Sequence, residues 1–212
     1  MPDFHSKIAK QVHQDMGRLE QSLQNLIPRH LLQTKNQEEI SILNLACGAC
    51  HEAKTLAKAF RTIKEGKVVG EGESGSKIEL VGVDIRKREI AHARENHPGS
   101  EAESFHFLDG DATDLSGHAE LSTPDVVFLR HQNFWHDPAI WHKIFDQGLA
   151  RLDESGLLVI TSYFDKEHEL ALGALQKLGA ELVRTERTPG SRSLRVEGKS
   201  VDRHVAVFRR VR

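Results

Sequence analysis

The sequence Ile42-Leu43-Asn44-Leu45-Ala46-Cys47-Gly48-Ala49-Cys50-His51-Glu52-Ala53 joins an apolar run to a helical pattern through a turn of small residues. A strand that enters a helix through such a turn places backbone N–H groups where a nucleotide-like ligand can approach. Two later apolar runs also end in acids: 78–83 is followed by Asp84, and 105–108 by Asp109-Gly110-Asp111-Ala112. An acid after the second strand can accept hydrogen bonds from two ribose hydroxyls. Three successive strand ends therefore carry ligand-binding chemistry.

Strands and helices are predicted to alternate along the chain. The predicted strands are 42–46, 78–83, 104–108, 125–129, 157–161, 181–187 and 203–209. The predicted helices are 51–64, 86–96, one that follows Pro138, and 166–178, while the glycine-rich segment 65–77 is predicted to be a mobile surface loop. This alternation indicates an α/β three-layer sandwich. We expect a seven-stranded, mostly parallel sheet with an antiparallel C-terminal hairpin strand.

The first part of the chain has the periodicity of an amphipathic helix. Its apolar positions recur at steps of three and four residues: Ile8, Val12, Met16, Leu19, Leu23, Leu26 and Ile27. That spacing predicts one helix that ends near Pro28. We predict an N-terminal helical extension over residues 1–37 and a main domain over residues 38–212.

Composition limits the compartment and the partners. The 212 residues are 38% hydrophobic and 28% charged, which is typical of a folded domain, and the net charge of −2 gives no general reason to bind nucleic acid. Basic residues concentrate from Arg184 onward; a solvated hairpin is the expected interpretation, and an anion-binding surface or nucleic-acid binding stays open. No apolar run approaches the length of a membrane span, and two cysteines in one turn predict a reducing, cytoplasmic location.

The order of these features resembles the class I S-adenosylmethionine-dependent methyltransferases over residues 40 to 210. The family's glycine-rich signature has its counterpart at 44–50, where Gly48 is the only glycine, Ala46 and Cys50 replace glycines, and Asn44 replaces the usual acid. The Asn44 amide can donate hydrogen bonds but cannot pair electrostatically with the cofactor's amino group.

The resemblance implies a Rossmann-like fold, S-adenosylmethionine as cofactor and S-adenosylhomocysteine as product. It implies that Asp84 binds the ribose, that Ile85 flanks the adenine, and that Asp111 and Ala112 meet the adenine edge. The full cofactor set that it implies is Asn44, Ala46, Cys47, Gly48, Asp84, Ile85, Asp111, Ala112 and Arg130.

The segment after the fourth strand is predicted to border the methyl acceptor. It runs Leu129-Arg130-His131-Gln132-Asn133-Phe134-Trp135-His136 and is rich in polar and aromatic groups. His131 is the candidate general base, because histidine ordinarily titrates near neutrality; the alternative is that it only hydrogen-bonds the backbone. Asn133, Trp135 and Tyr163 are the candidate acceptor-binding residues. Methyl transfer depends mainly on alignment of nucleophile, carbon and sulfur, so these residues do not identify the acceptor.

Four alternatives compete with this interpretation. Cys47 and Cys50 form a Cys-x-x-Cys sequence, but no tryptophan precedes it and a redox role would leave Asp84 unexplained. A dehydrogenase would need a glycine at the position of Ala46. A metal site is not expected, because the spacing of the histidines around His131 matches no known zinc pattern. A non-catalytic binding module with the same fold is the strongest alternative. We predict a methyltransferase that acts on a small molecule, with its oligomeric state open.

Overall fold

Seven strands and five α-helices form three layers in the computed structural model, which describes residues 4–67, 75–118 and 121–211. The strands are β1 Glu39–Leu45, β2 Lys77–Asp84, β3 Glu103–Asp109, β4 Val126–Leu129, β5 Leu157–Ser162, β6 Ala180–Arg187 and β7 His204–Arg210. The helices are α1 Phe4–Leu26, α2 Ala53–Glu65, α3 Lys87–Asn96, α4 Pro138–Arg151 and α5 Asp165–Lys177, with a 3-10 turn at Arg29–Leu31. Residues 68–74 of the predicted mobile loop lie outside the described residues.

The sheet has the order β3-β2-β1-β4-β5-β7-β6. Strands β1 to β5 are mutually parallel, whereas β7 is antiparallel to both β5 and β6. The predicted seven-stranded, Rossmann-like sheet is thereby confirmed. Strand order reverses between β1 and β4, and in open α/β sheets ligands bind outside the carboxyl ends of the strands at such a switch.

Local sequence explains the individual elements. Strands β4 and β5 are apolar along their whole length and buried throughout, as expected of central strands covered on both faces. Helix α4 begins after Asp137, whose side chain accepts a hydrogen bond from the Ile140 N–H, with Pro138 in the first turn. Helix α2 ends at Gly66, which adopts the left-handed conformation (φ +71°) of a helix C-cap.

Helix α1 is packed into the main core by its C-terminal half. Leu19, Leu23, Leu26 and Ile27 are each at most 4% exposed and belong to the apolar cluster of α2, α3 and one face of the sheet. Ile8 and Val12 are 43% and 41% exposed, so the predicted apolar stripe is covered only in part. The division at residue 37 therefore stays a prediction.

A buried ion pair also anchors α1. Asp15 accepts hydrogen bonds from Arg192 Nε at 3.0 Å and Nη2 at 2.5 Å, which ties the helix to the β6–β7 connection. No helix within the described ranges is long and apolar enough to cross a membrane.

Candidate active site

The turn after β1 is built from residues in the left-handed conformation. Ala46, Gly48 and Cys50 have φ values of +53°, +57° and +48°. These are the positions of the glycine pattern in the predicted signature, and two of them carry side chains here. A β-carbon in this region costs roughly 1–2 kcal/mol, so the surrounding structure must stabilise the turn. Hydrogen bonds from Cys50 N–H to the Cys47 carbonyl and from Ala53 N–H to the Cys50 carbonyl lead the chain into α2.

Asp84, the last residue of β2, is a buried carboxylate beside this turn. It accepts hydrogen bonds from the Gly48 N–H at 2.7 Å, the Arg86 N–H at 2.9 Å and Arg86 Nε at 3.0 Å. Burial alone would raise the pKa of Asp84, but the hydrogen bonds from Arg86 and Gly48 outweigh it and lower the pKa below its ordinary value. Asp84 is therefore ionised at neutral pH.

Two adjoining cavities of about 490 Å³ and about 400 Å³ open at the carboxyl ends of the strands. Both are lined by Ala46, Asp84 and Ile85, and the Ile85 side chain is 66% exposed at their boundary. The larger cavity, here called the turn cavity, also contacts Cys47, Gly48, Glu52, Arg86, Arg130, His131, Trp141 and Tyr163. The smaller one, the α4 cavity, also contacts Asp111, Ala112, Thr113, Ile140, Lys143 and Ile144.

A buried ionic network forms part of the wall of the turn cavity. Arg130 donates to both carboxylate oxygens of Asp202, from Nε at 3.0 Å and Nη2 at 2.6 Å, and from Nη1 to Glu52 at 3.3 Å. Thr161 adds a hydroxyl donor to Asp202 at 2.9 Å. Burial disfavours both charges, but their mutual attraction outweighs it: the pKa of Asp202 lies well below its usual range and that of Arg130 well above.

His131 contacts the same carboxylate. Its Nε2 accepts a hydrogen bond from the Asp202 backbone N–H at 3.2 Å and lies 2.8 Å from Asp202 Oδ1, and its ring stacks on Tyr163 with 3.9 Å between centroids. The bond from the Asp202 N–H fits the tautomer with its proton on Nδ1, whereas a proton on Nε2 would donate to the carboxylate and leave the lone pair on Nδ1. The backbone of His131 is left-handed (φ +58°), so the chain turns sharply as it leaves β4.

Residues 36–194 match the family model described as a methyltransferase domain. The chain belongs to the methyltransferase domain family. S-adenosylmethionine is accordingly its cofactor, and it is an S-adenosylmethionine-dependent methyltransferase. No curated protein matches it in sequence.

Solved structures share the fold of this methyltransferase. A TehB-like SAM-dependent methyltransferase from Corynebacterium glutamicum is 16% identical over 86% of each chain, with a TM-score of 0.55. The N-methyltransferase NodS from Bradyrhizobium japonicum is 14% identical over 94% of this chain and 96% of its own, with a TM-score of 0.56. Magnesium protoporphyrin IX methyltransferase from Synechocystis, solved with bound S-adenosylmethionine, is 15% identical over 100% of this chain and 86% of its own, also at 0.56.

The structure brings most of the predicted cofactor residues of the methyltransferase to the two cavities. Ala46, Cys47, Gly48, Asp84, Ile85 and Arg130 line the turn cavity, and Asp111 and Ala112 line the α4 cavity. Asn44 differs, because it is fully buried beneath the turn. Its Nδ2 donates to Glu52 Oε1 at 2.7 Å and to Cys50 Sγ at 3.2 Å. Asn44 thus supports the cavity wall from behind and does not line it.

On the acceptor side, only Tyr163 of the three predicted residues lines a cavity. Asn133 is exposed, and its carbonyl accepts a hydrogen bond from the His136 N–H. Trp135 is 37% exposed and packs on Phe164, with 4.6 Å between ring centroids. Neither Asn133 nor Trp135 lines the turn cavity or the α4 cavity.

Sequence reasoning missed several residues that line the turn cavity or its network, Arg86 and Glu89 among them. Glu52 lies at the N-terminus of α2, Trp141 lies in α4, and Asp202 lies just before β7. Glu52 belongs to the stretch 42–53 that predicts the ligand-binding turn, so its charge next to that turn could have marked it as a site residue.

The described residues support neither a metal site nor a redox site in the methyltransferase. No group of three or more histidine, cysteine, aspartate or glutamate residues among them is placed to hold a metal ion. Cys47 and Cys50 are buried, free thiols. A hydrogen bond of the protonated Cys50 thiol with Cys47, followed by burial, raises the pKa of Cys50 well above its ordinary value, so the reactive thiolate is disfavoured.

Proposed function

We propose that this methyltransferase transfers the methyl group of S-adenosylmethionine to a small-molecule acceptor in the turn cavity. The observation that carries the proposal is the position of Asp84, an ionised carboxylate at the boundary of two adjoining cavities. A ligand whose ribose lies at Asp84 can extend one end into each cavity. A cavity of about 490 Å³ is in the range of small-molecule sites.

The residues around Asp84 fit the cofactor. Asp84 would accept hydrogen bonds from the ribose hydroxyls, and the exposed Ile85 would flank the adenine. Asp111 and Ala112 border the α4 cavity, where the adenine edge would lie. Arg86 now pairs with Asp84, but its side chain is 61% exposed and can move into solvent at small cost.

His131 is the proposed general base for an acceptor that must lose a proton. In the tautomer with its proton on Nε2, the imidazole would donate to Asp202 and Nδ1 would take the proton from the acceptor. Tyr163 would fix the plane of the imidazole ring by stacking on it. The cofactor supplies an already activated methyl group, so alignment in the cavity provides most of the catalysis, with roughly 7–11 kcal/mol available from positioning. Trp141 and Tyr163 are the proposed aromatic walls for the acceptor. The free thiols are in keeping with the proposed cytoplasmic location.

Calorimetric titration with S-adenosylmethionine and S-adenosylhomocysteine tests the site. Asp84→Asn keeps the shape of the side chain but loses its charge, and we expect binding to weaken by about ten- to a hundredfold. Asp165→Asn is the matched control, because Asp165 is an exposed carboxylate that pairs with Arg203 and His204 and lines neither cavity. If the wild-type protein gives no heat and no thermal shift with millimolar cofactor, the non-catalytic binding module becomes the better interpretation.

A further inference from the structure

Glu52 is a buried carboxylate that lines the turn cavity. Its residue is only 3% exposed, and it occupies the N-cap position of α2 without making a side-chain capping hydrogen bond. The carboxylate instead accepts from Asn44 Nδ2 at 2.7 Å on Oε1 and from Arg130 Nη1 at 3.3 Å on Oε2. A carboxylate in this position gives up the usual role of a helix cap for contacts beside the cavity.

The charge of Glu52 is only partly compensated. Arg130 makes two contacts with Asp202, at 2.6 and 3.0 Å, and a single longer one with Glu52. Two carboxylates thus share one guanidinium, which leaves one negative charge in excess within this network. Excess charge in a buried site is costly unless an opposite charge completes it. Each carboxylate oxygen can accept further hydrogen bonds, so Glu52 retains the capacity to bind a cation in the cavity.

We propose that Glu52 supplies the carboxylate that binds the ammonium group of the cofactor's methionine portion. The end of β1 carries an uncharged amide at Asn44 where the family has an acid, and that amide holds Glu52 in place from behind the cavity wall. Glu52 lies eight residues after Asn44, at the start of α2. This inference rests on the proposed function of the turn cavity.

The test compares two ligands in the wild-type protein and in Glu52→Gln. S-adenosylhomocysteine carries the amino-acid group, whereas 5′-methylthioadenosine keeps the adenine, ribose and thioether but lacks that group. Glutamine preserves the shape of Glu52 and can still accept from Asn44. We expect Glu52→Gln to weaken S-adenosylhomocysteine by about ten- to a hundredfold and to leave methylthioadenosine nearly unchanged. If Glu52 lay next to the carboxylate of the ligand, removal of its negative charge would strengthen binding. Weaker binding therefore shows that Glu52 contacts the ammonium group.

Glu89→Gln is the matched control, because Glu89 lines the same cavity but takes no part in the hydrogen bonds and ion pairs that join Asn44, Glu52, Arg130 and Asp202. It should leave the ratio of the two affinities at the wild-type value. Equal weakening of both ligands in Glu52→Gln, or no weakening of either, would overturn the proposal in favour of a structural role. A wild-type protein that binds neither ligand would instead refute the proposed function itself, before any variant is compared.

Discussion

Asp202 combines a left-handed backbone with a buried charge. Its φ of +46° is one that asparagine tolerates as well as aspartate, so Asp202→Asn removes the charge with little added backbone strain. The variant leaves Arg130, whose side chain is 11% exposed, without its bidentate partner. Because Glu52 still compensates the charge of Arg130, the loss is that of charged hydrogen bonds, and we expect the free energy of unfolding, measured by urea denaturation, to fall by about 1.5–3 kcal/mol.

An exposed ion pair provides the comparison. Asp165 is 54% exposed and pairs with Arg203, and Asp165→Asn should cost no more than about 1 kcal/mol. Equal losses in the two variants would contradict the view that the Arg130 network is a buried, tightly coupled unit.

The sequence predicted Asp84 and Asp111 because both follow parallel strands, where ligand-binding residues collect. It did not predict Asp202, which is 72 residues from Arg130 and precedes its strand. The reason is topological: β7 is antiparallel to β5, with His204 opposite Ser162, so the start of β7 lies at the end of β5. Ligand-binding residues collect at the carboxyl ends of the parallel strands, and an antiparallel strand begins at that same edge of the sheet. The predicted C-terminal hairpin could therefore have indicated that residues just before β7 lie at the site.

The turn after β1 contains one glycine, Gly48, among its three left-handed residues. Gly48 has φ +57°, and a β-carbon on it would lie 2.8 Å from Arg86 Nη2. Gly48→Ala should therefore lower the free energy of unfolding by about 1–2 kcal/mol, and Arg86 must also shift. Gly17→Ala in α1 is the matched control: it has open space and a helical backbone, and it should stabilise the protein by about 0.5–1 kcal/mol. Thermal unfolding of both variants would check the difference in sign.

Whole elements were predictable where burial enforced a pattern. Apolar runs and turns located all seven strands, and the pattern was clearest in β4 and β5, because central strands covered on both faces leave no place for polar residues. Trp135 was predicted at the acceptor site from its position after β4, yet it packs on Phe164 outside the cavity. The segment leaves β4 through the left-handed residue His131, and sequence spacing carries no sign of that conformation.

The packing of helix α1 contributes to the stability of the whole molecule. Leu23 is fully buried in the cluster shared with α2, so Leu23→Ala should reduce the free energy of unfolding by about 2–5 kcal/mol. Ile8→Ala, at a position 43% exposed, should change it by less than about 0.5 kcal/mol. Both variants should unfold in one transition in urea. A separate early transition for α1 would show that the extension folds independently of the sheet.

The stability of the whole molecule should fall in mild acid because of His168. This imidazole is 4% exposed and lies between the Ser162 and Thr185 hydroxyls. Burial, followed by repulsion from His204, lowers the pKa of His168 from 6.5 to about 4, and the attraction of Asp165 offsets only part of this shift. Between these values the unfolded chain binds a proton that the folded chain does not, so unfolding becomes more favourable as pH falls. His168 should account for a loss of about 2 kcal/mol from about pH 7.5 to about pH 5. Urea denaturation at both pH values measures this loss of unfolding free energy. The loss should be absent in His168→Gln and unchanged in His92→Gln, because His92 is exposed on α3. Identical pH dependence in His168→Gln and the wild type would mean that the buried imidazole is not the group that titrates.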